Sequence, residues 1–403
     1  MKKIKITPEL ICAVIFLIII FLFGATTFAN RAGHIYKSIV TPFKYADGFT
    51  KTYDKLHESF TKQTEVDSFT ENLWNRLFFI DIYSVAQRVT LSVVNEDVSE
   101  TVVKDNHGLL HFVEPRVDTG KYADRIIGLQ NSIDAPILYV QAPNKKLKDY
   151  TKLPGHFDNY SNDNADEFLS LIDGKVDYLD LRSELENDAL DKTQLFYVTD
   201  HHWTTETAFW GFKETVEKIK QNYNIDLDPQ GIYTDISNYT AEEYPQSFLG
   251  AQGRRVGRFY VGVDDYTLLL PKFNTSFITL DTITSPDKPV SQGDFREAFI
   301  DEEILSSDDV SANKHAAYLT VDRGELIIKN ELNPDGKKVL MIKDSFAMPY
   351  ACFMAPCTSE TVMIDLRYFP MSRSLSDYIN EYQPDVVLFL YNPEVYIDMM
   401  FRF

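Results

Sequence analysis

The chain has 403 residues, with 60 acidic side chains against 40 basic ones for a net charge of −20, and 44% of its residues are hydrophobic. That apolar content excludes a disordered or low-complexity protein, and the length admits about two or three domains at ~150 residues each. The acid excess repels a phosphate backbone and no Lys/Arg run offsets it, which argues against nucleic-acid binding. Three cysteines are too few for a disulfide scaffold. Cys12 lies in an apolar run, and Cys352 and Cys357 are read as free thiols.

Residues 10–30 carry no charged side chain. As a helix they span ~30 Å, the thickness of a bilayer's hydrocarbon core. Lys2, Lys3 and Lys5 precede them, so the positive-inside rule predicts a cytoplasmic tip over 1–9, a transmembrane anchor over 10–30 and everything later outside the cell. A cleaved signal peptide is the rival, on the Thr27-Phe28-Ala29 ending, but the apolar run exceeds a signal h-region of ~7–15 residues. Residues 31–115 read as a stalk and entry segment, with a helix near 69–88 and a hairpin around Asp105-Asn106-His107-Gly108.

The rest, 116–403, reads as one α/β domain. It begins with a helix at 121–131 and a buried strand at 136–141 that ends at Ala142-Pro143-Asn144-Lys145. A polar loop at 154–167, a short strand at 176–181 and a helix with Ala208, Phe209, Phe212, Val216 and Ile219 on its apolar face follow. Residues 224–333 change to alternating segments, such as 258–263 and 266–270, and read as a β-rich insertion. Apolar runs at 338–342, 361–366 and 385–391, separated by helical stretches at 346–354 and 374–381, make two successive βαβ units and hence a parallel, helix-covered sheet.

In such sheets functional groups gather beyond the carboxyl ends of the strands. That directs attention to Lys343-Asp344-Ser345-Phe346, between a strand and a helix. A serine on this turn projects its hydroxyl from the sheet edge, with its N–H at the positive end of the helix dipole, which suits a nucleophile whose intermediate carries an oxyanion. The plain alternative is a helix N-cap.

The second signal is Asp200-His201-His202-Trp203. A carboxylate two residues from an imidazole can hold its tautomer, as a triad acid does, and a strand-like backbone would put Asp200 and His202 on one face. His201 is the alternative base. An aspartate beside two histidines also matches zinc-ligand types. No other His- or Cys-rich motif adds ligands, however: His107 and His111 flank Gly108, and His34, His57, His156 and His315 stand alone and read as surface or core. Neither a metal nor another cofactor is expected.

Taken together, these strings resemble the DHHW-type bacterial proteins, relatives of the alginate O-acetyltransferase group within the SGNH hydrolase superfamily. The resemblance spans roughly residues 100–400. It rests on Asp200-His201-His202-Trp203, then Lys343-Asp344-Ser345-Phe346 and Asp365-Leu366-Arg367-Tyr368, with support from Ala142-Pro143-Asn144-Lys145 and from Phe248-Leu249-Gly250 ahead of Gly253-Arg254-Arg255. It implies an SGNH hydrolase-like parallel sheet flanked by helices, with permuted motif order, in which Ser345 is the nucleophile, His202 the base and Asp200 the residue that orients it. Arg367, Asn392, Asp344 and His201 are the candidates for oxyanion or substrate binding.

The implied activity is that of a membrane-anchored, extracellular O-acyl (O-acetyl) transferase or esterase acting on a cell-surface polysaccharide through an acyl-serine. A multi-spanning membrane O-acyltransferase is the implied partner. The alternative is a catalytically inactive accessory of the same fold that binds glycan or the membrane acyltransferase; 23 tyrosines suit sugar stacking. One departure stands out. The acetyltransferase pattern has glycine before Asp-Ser, whereas Lys343 here is expected to restrict the turn and crowd the oxyanion site.

Overall fold

The computed structural model describes Phe21 and residues 76–96, 101–155, 157–370 and 372–403. The cytoplasmic tip, the anchor apart from Phe21, and the start of the helix expected near 69–88 lie outside the described residues. No helix among the described residues is long and apolar enough to cross a membrane. The chain divides into a unit of residues 1–83, of which 76–83 open helix α1 (Arg76–Val89), and a unit of residues 84–403.

The larger unit opens with β1 (Val94–Glu96), β2 (Thr101–Lys104) and β3 (Leu110–Phe112), an antiparallel three-stranded sheet. The β2–β3 hairpin turns through Asp105, whose Oδ1 accepts the N–H groups of His107 at 2.8 Å and Leu109 at 2.9 Å. The strands that follow are β4 (Ile137–Gln141), β5 (Asp177–Asp180), β6 (Tyr239–Phe248), β7 (Asp264–Pro271), β8 (Phe277–Leu280), β9 (Ser291–Gly293), β10 (Glu325–Asn330), β11 (Lys338–Lys343), β12 (Glu360–Ile364) and β13 (Val386–Tyr391). Of these, β6 pairs with β7, and the other eight form one sheet in the order β5-β4-β13-β11-β12-β10-β8-β9.

Neighbours from β5 to β12 run parallel, whereas β10 is antiparallel to β12, β8 to β10 and β9 to β8. The sheet is therefore mixed rather than wholly parallel. The stretch read as an insertion contributes β8, β9 and β10 to its edge instead of standing apart.

Side chains alternate between two apolar layers, as a pleat buried on both faces requires. Val339, Met341, Leu388 and Leu390 face a layer that includes α2 (Thr205–Tyr223) and α3 (Ala347–Met354). Leu340, Ile342, Phe389 and Tyr391 face the layer of Tyr122 and Ile126, Phe168 and Ile172, and Tyr378 and Ile379, on the helices Gly120–Gln130, Ser161–Ile172 and Leu375–Tyr382.

Two local readings change. Helix Ser161–Ile172 begins inside the polar stretch read as a loop, because Ala165, Phe168, Leu169 and Ile172 supply a buried apolar stripe, whereas the buried residues of its first turn, Ser161 and Asn164, are polar. The segment read as a strand at 258–263 is instead a helical turn, Arg258–Val261, closed on either side by Gly257 (φ 86°) and Gly262 (φ 96°), a conformation that interrupts a strand. Cys352 and Cys357 are buried free thiols.

Candidate active site

The parallel strands place their carboxyl ends on one edge, where Asp344-Ser345, Asp365-Leu366-Arg367 and Asn392 directly follow β11, β12 and β13, and Asn144-Lys145 come after Ala142-Pro143 at the end of β4. Asp200-His201-His202-Trp203 reaches this edge from a bent segment that the Phe196–Trp203 bridge closes. The backbone there is not strand-like. Asp200 and His202 meet through an Asx turn, Oδ1 accepting the His202 N–H at 3.1 Å and lying 2.6 Å from His202 Nδ1. His202 Nε2 is 2.7 Å from Ser345 Oγ.

A carboxylate at Nδ1 selects the Nδ1–H tautomer, so the Nε2 lone pair faces the serine hydroxyl. Burial and the neighbouring His201 and His315 rings push His202 well below the ordinary imidazole range, against the pull of Asp200. Burial opposes the charge on Asp200, but His201 and His202 hold its carboxyl well below the usual carboxylate range. A neutral imidazole between a carboxylate and a hydroxyl can take the hydroxyl proton and keep the resulting charge stabilised.

Helix packing explains how two segments far apart in sequence meet. Each segment opens a helix on the same side of the sheet, and α2 and α3 bury Phe209 against Phe353 (ring centroids 5.2 Å apart) and Phe212 against Tyr350 (6.3 Å). Trp203, fully buried, donates its indole N–H to the Phe346 carbonyl at 3.0 Å and stacks on Tyr350. The tryptophan of the tetrapeptide thus pins the serine turn to the histidine turn.

The turn around Asp200 is braced from the far side by residues of which only Lys145 stands in a string that carries the resemblance. Its Oδ2 accepts the Ala251 N–H at 2.8 Å. Asp264, at the start of β7, accepts the Val198 and Thr199 N–H groups, each at 2.7 Å. The buried Lys145 ammonium donates to Leu110 O (2.9 Å), Val198 O (3.1 Å) and Gln252 Oε1 (2.8 Å), and burial brings its pKa down to about 8.

Gly250 lies flat against Asp200: a Cβ there would fall 2.2 Å from Asp200 Cβ and 2.7 Å from its Cα. Gly250→Ala is therefore expected to displace Asp200. It should cost about 1–3 kcal/mol of stability, as overpacking does, and lower any Ser345-dependent activity; urea unfolding and a serine-labelling assay measure the two effects.

Of the remaining candidates, Asp344 and Asn392 engage each other and Arg367 engages two carboxylates. Asp344 Oδ2 accepts the Asn392 N–H at 2.7 Å and its Nδ2–H at 2.8 Å, while Oδ1 accepts the Phe346 N–H at 2.9 Å. These bonds shape the serine turn, and burial raises the Asp344 carboxyl to about 6. Arg367 forks onto Asp365 (2.9 and 2.6 Å) and reaches Asp322 at 3.0 Å. Lys343, expected to crowd the oxyanion site, directs its buried ammonium to Asp322 and Asp365. Among the described residues the Ser345 N–H has no hydrogen-bond partner.

His201 packs beside His202 with ring centroids 3.9 Å apart, and its buried Nδ1 lies 3.7 Å from Asp200 Oδ1 without a hydrogen bond. Ligand atoms of Asp200, His201 and His202 lie within 4.8 Å of one another, but both His202 nitrogens are already engaged, by Asp200 and Ser345. His315, read as an isolated surface or core histidine, lies flat on His202, with centroids 3.7 Å apart and planes at 11°. No sequence signal ties it to the site.

No protein-family model matches the sequence, and no curated protein matches it. The fold is similar to that of Bacillus cereus PatB1 in a structure with a sulfonyl adduct, at TM-score 0.61 and 21% identity over 77% of this chain and 98% of that one. It is also similar to a DHHW family protein from Eubacterium siraeum, at TM-score 0.58 and 17% identity over 77% of this chain and 96% of that one. The structural neighbours therefore include a protein of the group that Asp200-His201-His202-Trp203 resembles.

Proposed function

We propose that this chain is an SGNH-type serine O-acyltransferase or esterase, with O-acetyl as the transferred group and a cell-surface polysaccharide as acceptor. The observation that carries the reading is the unbroken series from Asp200 through His202 to Ser345 Oγ, at 2.6 and 2.7 Å. Ser345 Oγ attacks the carbonyl carbon of an acyl ester while His202 Nε2 takes its proton, and Asp200 stabilises the imidazolium. The Ser345 N–H, free of other partners, faces the growing oxyanion. Collapse of the tetrahedral intermediate returns the proton to the departing alcohol and leaves acyl-Ser345. An acceptor hydroxyl, deprotonated by His202, then takes the acyl group and the serine recovers its proton; water in its place gives hydrolysis.

The charge-free segment at 10–30 supports a single-pass anchor with this domain outside the cell. There it would act next to a multi-spanning membrane O-acyltransferase that supplies acyl groups. The fold likeness to a PatB1 that carries a sulfonyl adduct recommends a sulfonyl fluoride and an activated acetyl ester as probes. Incubation of the protein with either is expected to add one sulfonyl or acetyl group at Ser345, read by peptide mass spectrometry, and Ser345→Ala and His202→Ala should each abolish it. An unmodified Ser345 in the native protein would instead favour a glycan-binding accessory without turnover.

A further inference from the structure

Resting on that reading, we propose that His315 is a positioning residue for the Ser345–His202 pair, holding the serine's own peptide with its N–H and backing the base with its ring. His315 sits on the helical turn Lys314–Ala317, within the stretch read from sequence as an insertion, and is 4% exposed. Its Nε2 lies 3.0 Å from the Ser345 carbonyl oxygen. A carbonyl only accepts, so Nε2 carries the hydrogen. Together with the Met348 N–H, 3.3 Å from the same oxygen, that bond fixes the peptide plane between Ser345 and Phe346, next to which the hydroxyl projects.

The same ring covers one face of His202 at 3.7 Å, and His201 covers another part of it at 3.9 Å. His202 is thus held at Nδ1 by Asp200, stacked on His315 and flanked by His201 at a tilt of 37°. Its swing away from Ser345 Oγ, which would leave the hydroxyl without a base, is blocked. His315 is buried and both contacts are made to the catalytic residues themselves, so the contribution is to the geometry of proton transfer rather than to binding.

The test compares His315→Phe, which keeps a flat ring and loses the N–H, His315→Asn, whose amide is too short to reach the Ser345 carbonyl, and His315→Gln, whose amide reaches it. Each is assayed for the rate of Ser345 sulfonylation by phenylmethanesulfonyl fluoride and for kcat and KM on 4-nitrophenyl acetate, with a thermal melt to establish folding. Loss of the one hydrogen bond is expected to lower kcat and the sulfonylation rate about threefold to tenfold in the Phe and Asn variants, with KM unchanged and with partial recovery in His315→Gln. A purely structural role would give no such recovery and no split between kcat and KM. Native-like rates in His315→Asn, or equal losses in the Asn and Gln variants, overturn the proposal while leaving Ser345 as nucleophile. Failure of the native protein to label at Ser345 removes both readings together.

Discussion

Asp200→Asn is expected to lower the rate of Ser345 acylation about ten-thousandfold, the scale on which loss of the triad carboxylate acts through the wrong histidine tautomer. Both oxygens of Asp200 face donors: Oδ1 takes the His202 ring and its N–H, and Oδ2 takes the Ala251 N–H. An asparagine must turn its NH2 group toward one of them. Turned toward His202, it donates to Nδ1 and moves the ring hydrogen to Nε2, so Ser345 loses its acceptor; turned toward Ala251, it sets two donors against each other in a buried site. Stopped-flow acylation with an activated acetyl ester measures the effect. An Asn variant within tenfold of the native rate would show that His202 does not depend on this carboxylate.

Lys343→Gly, which restores the glycine of the acetyltransferase pattern, is expected to destabilise the fold by about 3–5 kcal/mol, the cost of removing one partner from a buried ion pair. The Lys343 side chain is 1% exposed and its ammonium lies between Asp322 and Asp365, the latter fully buried. Without it, Arg367 alone faces two carboxylates. Burial already works against the charge on Asp322, and Lys343 and Arg367 are what hold its carboxyl below the usual range. A lower urea midpoint at unchanged slope is the expected result. A Lys343→Gly protein as stable as the native one, with faster acylation, would return Lys343 to the part of an obstruction at the oxyanion site.

The contrast at residue 343 shows where sequence reasoning stops. Read along the chain, a lysine before Asp-Ser looks like steric trouble, because its partners Asp322 and Asp365 are not adjacent in any motif. In the sheet, β11 and β12 are neighbours, and the end of β12 delivers Asp365 beside it. Arg367, attractive as an anion-binding group from its place at a strand end, is drawn into the same network.

The residues alone determined the apolar runs that become β4, β11, β12 and β13, the amphipathic helix after Trp203, the turn that carries Ser345, and the pairing of Asp200 with His202, although an Asx turn and not a strand-like backbone brings that pair together. Each is a local property, set by hydrophobic period, by turn chemistry or by a contact two residues long. Only the tertiary structure decided that the sheet is mixed, that Gly250 must lack a side chain against Asp200, that Lys343 is an ionic core residue, and that His315 stacks on His202. Those contacts join positions tens to hundreds of residues apart, and packing, unlike periodicity, leaves no regular interval in a sequence for such a pair.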